Sequence, residues 1–308
     1  MKKKFELANL SKNLLYCVCF SICALNLTAC DDDDENGTQG NGPAPIGIPS
    51  SVVDGVRATS MSGVDVTYNE DGTIKEAEVD GNTLVFNYAS SRAIKVDPIR
   101  SLISITSSER ESERWIASDF AFNTSGFVTA YKLKYTDTDP EFREEMNIAY
   151  TFNYNADGQM QKISMKTDGK DDEGPYSKSS EINYTYNNKV LEKIETKSNN
   201  ITYCSQTYEY TQAIKNTYNA MPLLLLPEEL ASDDCVFNVF AITGYLGNAG
   251  ANLPTAMTIK YTYPEDPSEN STERYNLSYT LNENKAISSY TLSGYGETMT
   301  FPCDWTNF

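Results

Sequence analysis

From Val64 onward the chain alternates apolar and polar residues with period two, and this restricts it to half-buried antiparallel strands. Ile148, Tyr150, Phe152 and Tyr154 fall on one face, with Ala149, Thr151 and Asn153 on the other. The same alternation runs through Val64-Val66-Tyr68, Leu84-Phe86-Tyr88, Ile182-Tyr184-Tyr186, Ile259-Tyr261-Tyr263 and Tyr275-Leu277-Tyr279-Leu281. β-Branched and aromatic residues at these positions suit a pleated surface with one buried side.

The turns repeat as well. Tyr68-Asn69-Glu70-Asp71-Gly72 matches Tyr154-Asn155-Ala156-Asp157-Gly158, and looser copies occur at Phe122-Asn123-Thr124-Ser125-Gly126, Tyr186-Asn187-Asn188-Lys189 and Asn282-Glu283-Asn284-Lys285. Asn and Gly tolerate the positive φ that hairpin turns demand. Aromatics at 122, 154, 186 and 218 are spaced 32 residues apart, as expected of a repeated pair of strands. The expected fold is all-β, an antiparallel up-and-down meander of hairpins with roughly ten to fourteen strands. A twisted sheet of that size closes into a barrel or splits into a two-sheet sandwich. The barrel is the preferred reading, with the aromatic face inward and the barrel soluble. A lipid-facing wall should alternate apolar residues back from a terminal Phe, whereas Thr306, Asp304 and Pro302 precede Phe308.

One segment, 221–247, breaks the pattern. Leu223 to Leu226 is a solid apolar run between Pro222 and Pro227, and Ser232-Asp233-Asp234 offers caps for a helix from Asp234 to Leu246. Val236, Val239, Phe240, Thr243 and Leu246 would share its core-facing side, and Gly247 would stop it. So apolar a helix must be buried, filling or capping the lumen.

The first thirty residues carry a different message. Lys2, Lys3, Lys4 and Lys12 precede an uncharged run from Leu14 to Leu27, which ends in Leu27-Thr28-Ala29-Cys30. That run is short for a membrane span, which needs roughly 20 apolar residues. It resembles the signal peptide and lipobox of bacterial lipoproteins, with cleavage between Ala29 and Cys30. The resemblance implies that Cys30 becomes the mature N-terminus and carries acyl chains, palmitate among them. The competing reading is an ordinary transmembrane anchor. Asp31, Asp32, Asp33 and Asp34 follow at once and resemble an acidic sorting signal of surface lipoproteins in Gram-negative gut anaerobes. In enteric bacteria the same aspartates favour inner-membrane retention, so outer-membrane placement, surface-exposed or periplasm-facing, is a preference. The expected organisation is a signal peptide over 1–29, a flexible tether over 30–54 and one β domain over 55–308.

Losing the signal takes the formal charge from −18 to −21, which makes the chain a poor partner for nucleic acid. With no histidine, Ser-His-Asp and Cys-His catalysis and His-ligated metals are excluded. Cys204, Cys235 and Cys303 remain outside the signal; free thiols are the preferred reading, and Cys235 with Cys303 is the pair if a disulfide forms. No cofactor or metal is expected. Asn153-x-Asn155-x-Asp157-Gly158 opens like a calcium loop, but Ser164 occupies the twelfth position, so it reads as a turn. The carboxylates of Asp168 to Gly174, and Asp137, Asp139 and Glu141, read as solvated loops with calcium as the alternative. Trp115 and Trp305 are candidates for stacking on a ligand, against a core role. Glu109, Glu111 and Glu113 read as an exposed charged segment and not a glycosidase pair.

The lipobox with its acidic tag, the Tyr-Asn-x-Asp-Gly hairpins and the apolar segment ending Gly250-Ala251-Asn252-Leu253-Pro254 together resemble a family of secreted or lipid-anchored gut-bacterial proteins of unknown function. The resemblance implies a porin-like β-barrel over most of 55–308 and transfers no catalytic residue. The leading functional expectation is non-catalytic binding of a glycan, peptide or partner protein. A structural or accessory subunit of an outer-membrane assembly is the second, and a carboxylate-based hydrolase the third.

Overall fold

The computed structural model describes residues 49–79, 81–87, 102–107, 113–137, 144–171, 174–222, 225–227, 230 and 235–307. The first strands are β1 (Val56–Met61), β2 (Val64–Tyr68), β3 (Ile74–Val79), β4 (Asn82–Asn87), β5 (Leu102–Ser107) and β6 (Glu113–Phe122). Next come β7 (Val128–Asp137), β8 (Glu144–Tyr154), β9 (Met160–Asp171), β10 (Gly174–Asn187), β11 (Val190–Ser198) and β12 (Ile201–Glu209). An insertion carries β13 (Ile214–Lys215), helix α1 (Cys235–Ile242) and β14 (Asn252–Leu253). The chain then completes β15 (Ala256–Tyr261), β16 (Ser271–Leu281), β17 (Ile287–Gly294) and β18 (Glu297–Asn307).

All but β13 and β14 form one antiparallel sheet that closes when β1 pairs with β18. The up-and-down barrel is thus as expected, and the sandwich alternative falls. Among the described residues its strands number 16, more than the alternation disclosed. One hidden strand has an irregular pattern: β6 carries a bulge between Ser118 and Ala121, where Asp119 has φ 57°.

Every second hairpin turn lies at the same end of the barrel, and there the repeat has a physical cause. Asn69, Asn123, Asn155 and Asn282 each open a turn in which their own carbonyl accepts from the residue three positions on, Gly72, Gly126, Gly158 or Lys285. Those four acceptor-bound residues all have positive φ. The Asn155 Oδ1 also accepts from the Asp157 and Gln159 amides, each at 2.9 Å, which fills the oxygen a calcium ion would need. The preceding aromatic is a clamp between strands. The Tyr68 hydroxyl donates to the Ala58 carbonyl at 2.7 Å, Tyr154 to Val128 at 2.6 Å and Tyr210 to Leu191 at 2.6 Å. The 32-residue step fails at Tyr218, which lies in the insertion and packs on Trp305; Tyr210 takes the clamp role.

The insertion closes this end. Helix α1 is shorter than expected, because Gly244, at φ 86°, turns the chain before Leu246. Its residues 236–242 are buried on every side, because the barrel surrounds it. Phe240 meets Phe86 of β4, Phe120 of β6 and Tyr131 of β7, and Phe237 stacks on Phe152 of β8. Each such side chain removed from water stabilises the fold by roughly 1.5–3 kcal/mol. Beyond the helix, the Asn248 amide donates to the Gly158 carbonyl and the Ala251 amide to Lys189, tying the plug to two hairpin turns. The chain enters here too: the Ser50 amide donates to the Ser125 carbonyl and the Ser51 hydroxyl to Gly244. Residues 49–54 of the expected tether therefore pack against the barrel.

The outer wall is polar. Lys134 pairs with Glu145, Lys162 with Glu181, Lys166 with Asp168, and Arg274 with Glu209. On β18, Met299, Phe301, Cys303 and Trp305 are the more buried set, while Thr298, Thr300, Pro302 and Asp304 are exposed. Lysine or arginine on a lipid-facing wall costs roughly 2–4 kcal/mol at the bilayer midplane. This wall is built for water, with the apolar side inward.

Two outcomes follow. A methyl group on Gly247 would lie 2.4 Å from the Gly158 carbonyl oxygen, at φ 91°. Gly247→Ala should cost about 2–4 kcal/mol, read as a lower midpoint in denaturant melts. The second concerns alkali. Burial raises the hydroxyl pKa of Tyr154, Tyr184, Tyr208 and Tyr290, and pushes that of Tyr245 up to about 12. Since the unfolded chain loses these protons near pH 10, stability is present below that pH and falls as pH rises above it. Tyrosinate absorbance should therefore appear with unfolding in one step; gradual ionisation of a folded barrel would contradict it.

Candidate binding site at the rim opposite the plug

Cys30, Ala29 and Asp31 to Asp34 lie outside the described residues, as do Asp139, Glu141, Glu109 and Glu111. Asp168 accepts from Lys166 and Ser177, which hold its carboxyl below the usual range, and its hairpin continues as β9 and β10. Asp137 is buried at the rim end of β7. No group of His, Cys, Asp or Glu among the described residues is arranged to hold a metal ion. Trp305 belongs to the core: its indole donates to the Ile287 carbonyl at 2.7 Å. Cys204, Cys235 and Cys303 form no disulfide. The expected Cys235–Cys303 pair is not brought together, because Cys235 sits beside Asn82 of β4 and three strands lie between β4 and Cys303 on β18.

The end opposite the plug is built as a staircase. Strand β10 pairs with β11 only as far as Ser180 and runs on to Gly174; β16 pairs with β17 as far as Asn276 and runs on to Ser271. Strand β18 pairs with β1 only from Cys303 onward and projects to Glu297. Each projection bares a strand edge, a liability that proteins usually blunt. Asn199 covers the first step by donating its amide to the Ser179 carbonyl, and Pro175 removes a donor there. The Tyr295 hydroxyl covers the second by donating to the Thr272 carbonyl at 2.7 Å.

A cleft of about 520 Å³ opens at the first step. Ser180, Ser198 and Asn199 supply hydroxyl and amide groups, while Ile201, Tyr203, Tyr263 and Pro264 supply apolar surface, with Glu265 at the side. The Asn199-Asn200 turn, with φ 49° and 67°, reverses the chain tightly. Register then slips between Thr196↔Cys204 and Lys197↔Thr202, leaving Tyr203 as a bulge residue. The opposite loop is braced: the Tyr263 amide donates to the Asn270 side chain at 2.7 Å, and Asp266 accepts from the Ser268 amide at 3.1 Å. Ile201 and Tyr263 remain 52% and 36% exposed, and Tyr295 on the same rim 65%.

A second aromatic group lines the inner face of this end. Register places Trp115, Tyr135, Met146, Gly169 and Tyr176 on one row across β6 to β10. Trp115 and Tyr135 rings are 4.4 Å apart, and the Lys178 ammonium lies 5.1 Å from the Tyr176 ring centre. Gly169 leaves the room that Tyr176 occupies, since a Cβ there would come within 2.4 Å of its ring. Trp115 thus sits at the rim with one face against Tyr135. Aromatic planes beside small hydroxyl and amide groups suit stacking and neutral hydrogen bonding to a sugar or an extended peptide. Sequence reading missed Ile201 and Tyr203; the Asn199-Asn200 pair between two alternating runs was the available signal.

Cys204 and Cys303 are buried, and burial pushes the Cys303 thiol up to about 12. Both should resist a thiol reagent at pH 8 until denaturant is added, and rapid labelling of the folded chain would contradict their placement.

No protein-family model matches the chain, and no curated protein matches it in sequence. The solved structures that are similar include two porin-like proteins. A porin-like protein from Bacteroides uniformis has 17% identity and a TM-score of 0.47, over 82% of this chain and 94% of that one. A porin-like protein from Bacteroides vulgatus has 15% identity and a TM-score of 0.51, over 83% of this chain and 98% of that one. At this identity the second likeness bears on architecture alone: the chain has a porin-like fold, with an inner face that is apolar and plugged.

Proposed function

We propose that the chain is an exported lipoprotein, acylated on Cys30, whose barrel holds a glycan or peptide at the rim opposite its plug without chemical conversion. The observation that carries this reading is the separation of the two ends. The polypeptide enters at the plugged end, through Pro49 to Ser51, and the aromatic cleft opens at the other. A tether from Cys30 would reach the end that is filled and leave the cleft facing away from the membrane. The 18 residues between Cys30 and Pro49 allow a span of at most about 65 Å when extended, enough to clear a lipid headgroup layer. The lipobox and the acidic run after it support export and outer-membrane sorting. The second reading, an accessory subunit, draws on the exposure of Tyr295, Ile201 and Tyr263, which a partner protein would cover.

Two measurements test the proposal. Metabolic labelling with an alkyne palmitate should mark the wild-type chain, and Cys30→Ser should abolish both label and detergent partitioning. A Cys30→Ser chain that still partitions at full uncleaved mass would sink the lipoprotein reading. For the rim, glycan and peptide arrays should retain the wild-type protein, and Tyr203→Ala should weaken retention about tenfold, as loss of one stacking contact does. Retention unchanged in that variant would remove the cleft from the account.

A further inference from the structure

The third step of the staircase differs from the other two. We infer that the projecting edge of β18, Glu297 to Pro302, is a docking site for an extended, cationic polypeptide segment of a partner protein, added as a strand. This surface is separate from the aromatic cleft and stands whether or not that cleft binds a ligand.

The register identifies the groups on offer. Gly294 and Glu297 flank the two-residue turn Tyr295-Gly296, so they form the hydrogen-bonded pair that closes a hairpin. Counting back along β18, Thr298, Thr300 and Pro302 then direct their backbone groups away from β17. Two observations agree. Pro302 has no N–H to give to β17, and the Thr300 and Thr291 hydroxyls meet at 2.9 Å, as directly opposed side chains do in non-hydrogen-bonded pairs. On the far side β1 stops at Met61, opposite Cys303. Among the described residues, no strand pairs with Glu297 to Pro302 on that side. The edge therefore presents two N–H donors and three carbonyls over roughly 20 Å, the length of a six-residue strand. The other two steps carry a side-chain or backbone cap, and this one has only Pro302, at its inner limit.

The charge around the edge selects the occupant. Asp304 and Asp65 both pair across Ser60, and Asp65 lies directly opposite Glu78. Like charges facing each other across a ladder are destabilising. Among the described residues no ion pair reaches these three, whereas Glu145, Glu181, Glu195 and Glu209 on other strands each have a lysine or arginine partner. A segment with Lys or Arg on its outer side would relieve that repulsion, while its inner side would lie along Met299 and Phe301, which pack on the core. A formal charge of −18 per chain opposes pairing with a second copy.

The test uses the full chain in detergent and a blocked hexapeptide of alternating lysine and valine. Saturable binding is expected, weakening at least about tenfold as salt rises from low to physiological levels. Asp65→Asn with Asp304→Asn should remove most of that salt dependence. Thr300→Pro, with its fold checked by circular dichroism, should abolish binding. So should N-methylation of the peptide amides that face β18, which leaves the protein untouched. A glutamate-for-lysine peptide should not bind, and Tyr203→Ala should change nothing. Absence of binding, or binding that survives N-methylation, would overturn the inference. A dimer seen by sedimentation and dissolved by Thr300→Pro would overturn it in favour of a second copy.

Discussion

A closed wall of this many strands encloses more space than its own side chains fill, and everything else in the structure answers that constraint. Barrels of 16 to 18 strands that face lipid solve it with a water-filled lumen and a polar inner face. Here the alternation has the opposite sense, with tyrosines, phenylalanines and aliphatics turned inward. Such a face needs an apolar filler, and the insertion between β12 and β15 supplies one. Phe237 and Phe240 engage four different strands at once, so the helix and the wall are parts of one core.

The same constraint explains which parts of the fold could be read from the chain. Strands with clean alternation, such as β8, β10 and β16, are legible because one face is wet and the other dry. Strand β6 is not, because it bulges at Asp119. The buried helix was visible as a break in period two, but its end was misplaced by a few residues. Gly244 and Gly247 both have positive φ, and only the packing of Ser51 against Gly244 shows where the helix turns. The recurrent tyrosine was visible as a repeat, but its role as a clamp on a neighbouring carbonyl depends on strand order, which spacing alone does not contain.

The rim was least legible. Barrel strands must be staggered to tilt, and here the stagger is concentrated at a few steps. The cleft and the bare β18 edge both arise at such steps, from residues far apart in the chain. Pro175 and Pro302, which cannot donate to a ladder, lie where strands run without a neighbour on one side. Arg57 makes a similar point: it is buried, donates to the Gly72 carbonyl and lies over the Tyr68 ring, and nothing in its local sequence announces this.

That the helix and the wall form one core can be tested by native-state hydrogen exchange. The amides of α1 should exchange only through global opening, with the same free energy and denaturant dependence as those at the centre of β8 and β9. Exchange of Val239 to Ile242 through a separate, lower-energy opening, while β8 and β9 stay protected, would mean that the plug leaves a barrel able to stand without it.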